Sequence, residues 1–390
     1  MLLSRTECIR ILDNLLGPSN EEKPTLLGYE VVAETNAIGY LGDYYLLLLS
    51  YAVGETSFQR QVFVKALPQK SAEPQKEAIF RKEAWLYETL LADMQAYSTV
   101  KWLANCYYTR PDLCVLEDIK LNGYVLGDME ELDETQMLQT LHALAALHAG
   151  SLIYEHKSHL NIGDVFGNHL QEVTVSPDIA WFTTGLAAVL AVLKTLPQYA
   201  TPEYASFMDL KLPGILDTIY EQVSTSTMYR NVLCHRDGWA GNIFFPSKPN
   251  APAILVDFQT CRYCPPAIDL SFSLYMNLTS SERRHLESSC IDFYYDCLTA
   301  DLNHYGLDAT MMLPKAELLQ SYEEFRLFAA VYRAVAATII KVPLAYITNE
   351  YKYVDRSSAI LSYMQDNEQF GACMREYCGD IMEIAIEMKK

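Results

Sequence analysis

His235-Arg236-Asp237-Gly238-Trp239-Ala240-Gly241-Asn242-Ile243-Phe244-Phe245, followed after a polar interval by Ala253-Ile254-Leu255-Val256-Asp257-Phe258-Gln259, decides how the rest of the chain is read. The stretch reads as a loop, a short strand, a turn, a second strand and an acid. Phosphoryl transfer needs a carboxylate near the acceptor hydroxyl. It also needs an amide oxygen and a second carboxylate to hold magnesium against nucleotide phosphates, and hard oxygen ligands suit that ion. Asp237, Asn242 and Asp257 supply the three groups. The Asp-to-Asn spacing is that of phosphoryl-transfer catalytic loops. A match to H-x-D-x-x-x-x-N arises by chance roughly once in fifty chains of this length. The following hydrophobic-Asp-Phe makes coincidence rarer, so a turn that merely caps its neighbours is the weaker reading.

Working outward, the segment before the block changes character near Glu117. Ser4–Leu16 has helical spacing and is ended by Gly17-Pro18. Tyr29–Thr35, Tyr44–Val53 and Gln61–Leu67 read as an antiparallel meander, Ala78–Leu91 as a helix, and Cys106–Thr109 with Cys114–Leu116 as two more strands. Beyond lies a strong helix over Leu132–Leu152, with a capping signal at Asp133 and Gln136. Ala180–Leu193, Thr279–Tyr305, Leu318–Val342 and Ser357–Glu387 also read helical, and Val232–Pro266 is the one non-helical island. The expected fold is α+β and bilobal: residues 1–118 form a small antiparallel β-rich lobe, and residues 119–390 a larger, mainly helical one.

The small lobe should hold the other half of the site. Lys65 is one cation in the apolar strand Val62–Leu67, and a buried ammonium needs a partner. Glu83 on the next helix is the natural one, with Glu77 and Glu88 as competitors. Gly39 and Gly42, in the turn between the first two strands, let backbone amides approach phosphate, or simply serve the turn. No G-x-x-x-x-G-K-[ST] occurs, which excludes a Walker-type NTPase. Leu116-Glu117-Asp118 falls where the lobes join, where the backbone at Glu117 would meet a nucleotide base and the two side chains read as solvated linker acids.

Composition bounds the remaining possibilities. The chain has 390 residues, half of them hydrophobic, and a formal net charge of −19. That field repels phosphate backbones and anionic lipid, so nucleic-acid and membrane-surface binding are disfavoured. The longest apolar runs, Tyr44–Leu49 and Gly185–Leu193, fall well short of a membrane span, and Arg5 and Glu7 interrupt any signal-peptide core. A cytoplasmic protein is expected. The ten cysteines are too dispersed for a disulfide scaffold. Cys261-Arg262-Tyr263-Cys264 lacks the second pair that structural zinc needs. Asn277-Leu278-Thr279 matches a glycosylation acceptor, a motif that means little without secretion.

Taken together, these residues resemble the ecdysteroid kinase-like (CHK kinase-like) family, within the choline kinase and aminoglycoside phosphotransferase superfamily. The likeness is carried by Leu116-Glu117-Asp118, Leu144-Ala145-Ala146-Leu147-His148-Ala149-Gly150-Ser151, the block from Cys234 to Phe245, Val256-Asp257-Phe258-Gln259 and Pro266-Ala267-Ile268-Asp269-Leu270. It implies a protein-kinase-like fold and a kinase that uses ATP and Mg2+ to phosphorylate a small-molecule alcohol, a lipophilic, ecdysteroid-like one. A choline- or aminoglycoside-type alcohol kinase and a catalytically inactive ligand-binding relative are the alternatives. The resemblance implies that Lys65, paired with Glu83, contacts the nucleotide phosphates, that the Gly39–Gly42 hairpin covers them, and that Asp237 is the catalytic base. Asn242 and Asp257 would hold magnesium; Asp269 and His235 would support the loop. Three departures stand out: Arg236 replaces a small residue, Trp239 stands where Ser/Thr protein kinases carry Lys, and Gly241 stands where the family often has Asn.

Overall fold

The computed structural model describes residues 2–18, 23–34, 42–68, 74–128, 131–248 and 251–388. Gly39 and most of its hairpin lie outside the described residues. Helix α1 (Arg5–Leu16) opens the chain with Ser4 and Glu7 forming a capping box, which satisfies two otherwise unpaired amides. Strands β1 (Thr25–Ala33), β2 (Asp43–Val53) and β3 (Thr56–Ala66) form the meander. With β4 (Cys106–Arg110) and β5 (Leu113–Glu117) they make one antiparallel sheet in the order β1-β2-β3-β5-β4. Alternation in β3 turns Val62 and Val64 inward against Leu47, Leu49, Leu113 and the Ile11–Leu12 face of α1. Lys65 stands opposite Tyr44 and Cys114 in this register.

Helix α2 (Pro74–Thr89) lies between β3 and β4 in sequence. Its residues Ala84, Leu86 and Tyr87 belong to the same apolar cluster as the helices that follow. The helical lobe is built from α3 (Glu134–Ser158), α4 (Ala180–Thr195), α5 (Ala267–Asn277), α6 (Ser280–His304), α7 (Lys315–Ile340), α8 (Ser357–Asp366) and α9 (Glu368–Glu387), with shorter turns between them. Asp133 and Gln136 cap α3 reciprocally. The expected continuous helix over Ser357–Glu387 is instead two, broken at Asn367, whose side chain accepts from the Phe370 amide and so starts a new helix. Among the described residues no helix is long and apolar enough to cross a membrane.

The non-helical island folds as four short strands that carry the site. β7 (Val232–Cys234) pairs with β10 (Arg262–Cys264), and β8 (Ile243–Pro246) lies between β9 (Ile254–Leu255) and β6 (Tyr124–Leu126). The β6 strand is too short to stand out in sequence. The result is a bilobal kinase-like fold, with the island facing the strand that bears Lys65.

Candidate functional site

Lys65 Nζ stands 2.6 Å from Glu83 Oε2 and 2.8 Å from Asp257 Oδ1. Glu77 and Glu88, the competing partners, are not joined to it. The other Glu83 oxygen accepts the Phe258 amide at 3.1 Å, so α2 grips the segment that follows Asp257. Burial alone would lower the Lys65 pKa, but Asp257 and Glu83 outweigh it and raise the ammonium above its usual range. It therefore stays a cation. Gly42 lies against this group: a side chain there would stand 3.2 Å from the Phe80 ring and 3.5 Å from the Lys65 stem.

Asn242 donates through Nδ2 to the Asp237 carboxylate at 2.8 Å and to its carbonyl at 3.1 Å. With its amide nitrogen turned toward Asp237, its oxygen is left for the cleft. Lys65, Glu83, Asn242 and Asp257 line one cleft, which continues over Phe63, Leu116, Ile119, Leu126, Phe244 and Val256. The donor set of one amide oxygen and carboxylates fits a magnesium ion, and the apolar slot fits the face of a nucleotide base. Burial, then the charge of Asp257, pushes the Asp237 carboxyl up to about 7, against the opposing pull of Asn242, Lys65 and Arg236.

Of the three non-glycine residues with positive φ among the described residues, two, Arg236 and Asp257, sit here. Such conformations cost about 1–3 kcal/mol each and persist only where the surroundings impose them. Asp269, on α5, imposes one of them. Its carboxylate accepts the His235 amide at 2.5 Å and the Arg236 amide at 2.8 Å. His235 donates from Nε2 to the Val256 carbonyl at 3.0 Å and accepts the Asp237 amide on Nδ1 at 3.2 Å. Burial lowers its pKa, so the imidazole is neutral and acts as a brace.

Three braces escape sequence reasoning. His148, fully buried on α3, contacts Asp269 at 3.1 Å and the Tyr294 hydroxyl at 2.7 Å. The signal was one polar residue on a stripe of leucines. Asn277 accepts the Ala240 amide and donates to the Gly238 carbonyl, both at 2.8 Å; it is 2% exposed, so the Asn277-Leu278-Thr279 match is no glycosylation site. Ser273 donates to the same Gly238 carbonyl at 3.0 Å. Gly241 has a local reason: a Cβ there would fall 2.5 Å from the Trp239 indole, which folds over it.

Glu117 and Asp118 hold the connection between lobes. Glu117 binds Lys101, the Asn105 amide and Asn122, and Asp118 binds Gln61 and the Lys120 amide. Their carboxylates are thus occupied, and they are not the free linker acids that the sequence suggests. The Tyr294 hydroxyl bonds to His148 and the Tyr229 hydroxyl to Glu324. All ten cysteines are free. The described residues contain one three-ligand group with metal-binding spacing, His148, Cys234 and Asp269. Its histidine and carboxylate already serve as braces.

The sequence matches the ecdysteroid kinase-like family over residues 39–307, and the chain belongs to that family. Among solved structures it is similar to a choline kinase from Cryptosporidium parvum Iowa II, at 11% identity and a TM-score of 0.46, over 98% of this chain and 97% of that one. It is also similar to an ethanolamine kinase from Plasmodium vivax, at 11% identity and a TM-score of 0.43, over 89% and 84%. A microcompartment-associated aminopropanol kinase shares 13% identity and a TM-score of 0.41, over 85% and 94%. No curated protein matches the chain.

Proposed function

We propose that the protein is a small-molecule kinase that transfers the γ-phosphoryl group of MgATP to a hydroxyl on a lipophilic, ecdysteroid-like acceptor. The observation that carries this reading is the convergence of Lys65, Glu83, Asp257 and Asn242 on one cleft, with Asp237 hydrogen-bonded behind Asn242. Family membership supports it.

In this reading residues 1–118 supply the nucleotide-binding lobe and residues 119–390 the catalytic and acceptor-binding lobe. Lys65, held by Glu83, places its charge on the nucleotide phosphates and must exchange its bond to Asp257 for them. Asn242 and Asp257 would hold magnesium, which neutralises charge on the phosphate oxygens. Gly42 lets the chain approach closely, and the backbone at Glu117 meets the base. Asp237 accepts the proton of the acceptor hydroxyl as its oxygen bonds to the γ-phosphorus and the bond to the departing ADP breaks. His235 and Asp269 keep that carboxylate in place.

The lipophilic acceptor is carried by family membership; the ring cluster of Tyr332, Phe272 and Phe328 is buried core and lines no cleft among the described residues. The test is mass spectrometry of a panel of steroid, choline-like and aminoglycoside alcohols incubated with MgATP. A phosphate ester formed on a polyhydroxylated steroid is expected. Phosphorylation of choline or an aminoglycoside alone would contradict the lipophilic acceptor. MgATP binding with no product on any alcohol would favour a non-catalytic ligand-binding role.

A further inference from the structure

Three buried or nearly buried cations stand next to residues of the site, each on a different element. Lys82 precedes Glu83 on α2, Arg236 precedes Asp237 in the catalytic loop, and Arg262 lies five residues beyond Asp257. All three reach one short stretch of chain between α3 and α4. Lys82 Nζ donates to the Gln171 carbonyl at 3.0 Å. Arg262 Nη1 donates to the Leu170 carbonyl at 3.0 Å. Arg236 Nη2 donates to Glu172 Oε2 at 3.2 Å, with Arg262 Nε 3.7 Å from the same oxygen.

The carboxylate is itself held. Glu172 Oε1 accepts the amides of Val173, Thr174 and Val175 and the Thr174 hydroxyl, at 2.8–3.1 Å. Despite burial, Arg236 and Arg262 bring its pKa down to about 2. Leu170 and Val175 are 3% and 1% exposed and anchor the stretch at both ends. Trp85 of α2 stacks on His169 at 4.4 Å and packs on Phe166 at 5.5 Å, so α2 meets this region by ring contact as well as by charge. Arg236 is 1% exposed, rests on the Phe328 ring, and has no other carboxylate partner among the described residues.

We propose that Glu172 is a positioning residue for the phosphoryl transfer, the fixed point of a 170–172 strap that ties α2, the catalytic loop and the segment after Asp257 into one register. This rests on the kinase reading above, and it gives Arg236 a role: its guanidinium points away from the cleft into the strap. Without the carboxylate, three like charges would crowd one buried site, and the elements bearing Glu83, Asp237 and Asp257 would shift apart. A misplacement of about 1 Å at a reacting centre can cost ~10²-fold in rate.

The test uses Glu172→Gln, which keeps shape and loses charge, with Arg236→Met and the double variant. In Glu172→Gln, kcat is expected to fall ~10²-fold, MgATP binding is expected to weaken because Glu83 and Asp257 move with the strap, and amide exchange is expected to quicken at 235–238 and 258–262. The double variant is expected to be no worse than the single one, because neighbours that act as a pair are not additive. Additive losses, or a lowered melting temperature with unchanged kcat and unchanged exchange in those two segments, would overturn the proposal. The exchange measurement needs no acceptor. A wild-type protein without transferase activity would therefore count against the kinase reading, and exchange would still decide the strap.

Discussion

Asp237→Asn is expected to lower kcat for phosphoryl transfer by ~10²–10⁴-fold, the usual contribution of a positioned general base, while MgATP binding stays close to wild type. The amide fits the same space and can still bond to Asn242, so the nucleotide side of the cleft is preserved. A second outcome has the opposite sign. The Asp237 carboxyl is raised to about 7 by burial and by Asp257, whereas in the unfolded chain it titrates near 3.9. Between about pH 4 and 7 the folded state holds a proton that the unfolded state has released, so stability from this group is lost as pH rises through 7. Activity needs the ionised form and should rise as pH passes through about 7. At pH 8, Asp237→Asn should therefore melt at a higher temperature than wild type while being nearly inactive. A variant with retained turnover would remove Asp237 from the role of base, and one with a lowered melting temperature would contradict the electrostatic account.

Asp269→Ala is expected to produce the largest loss of stability. The side chain is 2% exposed and accepts from His235, Arg236 and His148. Removing it strands three buried donors, each at a cost of about 1–3 kcal/mol. The loss falls on the left-handed turn at Arg236, so the molecules that still fold should be slow as well. A urea titration measures the first effect and kcat per folded molecule the second. A denaturation midpoint equal to wild type would show that Asp269 does not brace the loop.

Much of this site is legible in the sequence because its residues are close together or strongly typed. Asp237 and Asn242 are five positions apart, and Lys65 is the one charge in the apolar run Val62–Leu67, so a carboxylate on the next helix is its natural neighbour. What is not legible depends on register between distant helices. The bond from Lys65 to Asp257 spans 192 positions. Asn277 reads as an ordinary polar residue near a helix end until α5 is packed against the catalytic loop. Glu172 sits in a segment without periodicity, and the cations that meet it come from three elements. The break at Asn367 is missed for the opposite reason: apolar spacing continues across it, and only the cap marks the new start.

The central claim is that Lys65, Asn242 and Asp257 form a magnesium-dependent nucleotide site. It is tested most directly by thermal denaturation with ATP, with and without magnesium, on wild type and Asp257→Ala. A ligand at ~100 times its dissociation constant stabilises the folded state by about 2.7 kcal/mol. The account predicts a magnesium-dependent rise in melting temperature for wild type that disappears in Asp257→Ala. An equal rise in both proteins, or none in wild type, would contradict it.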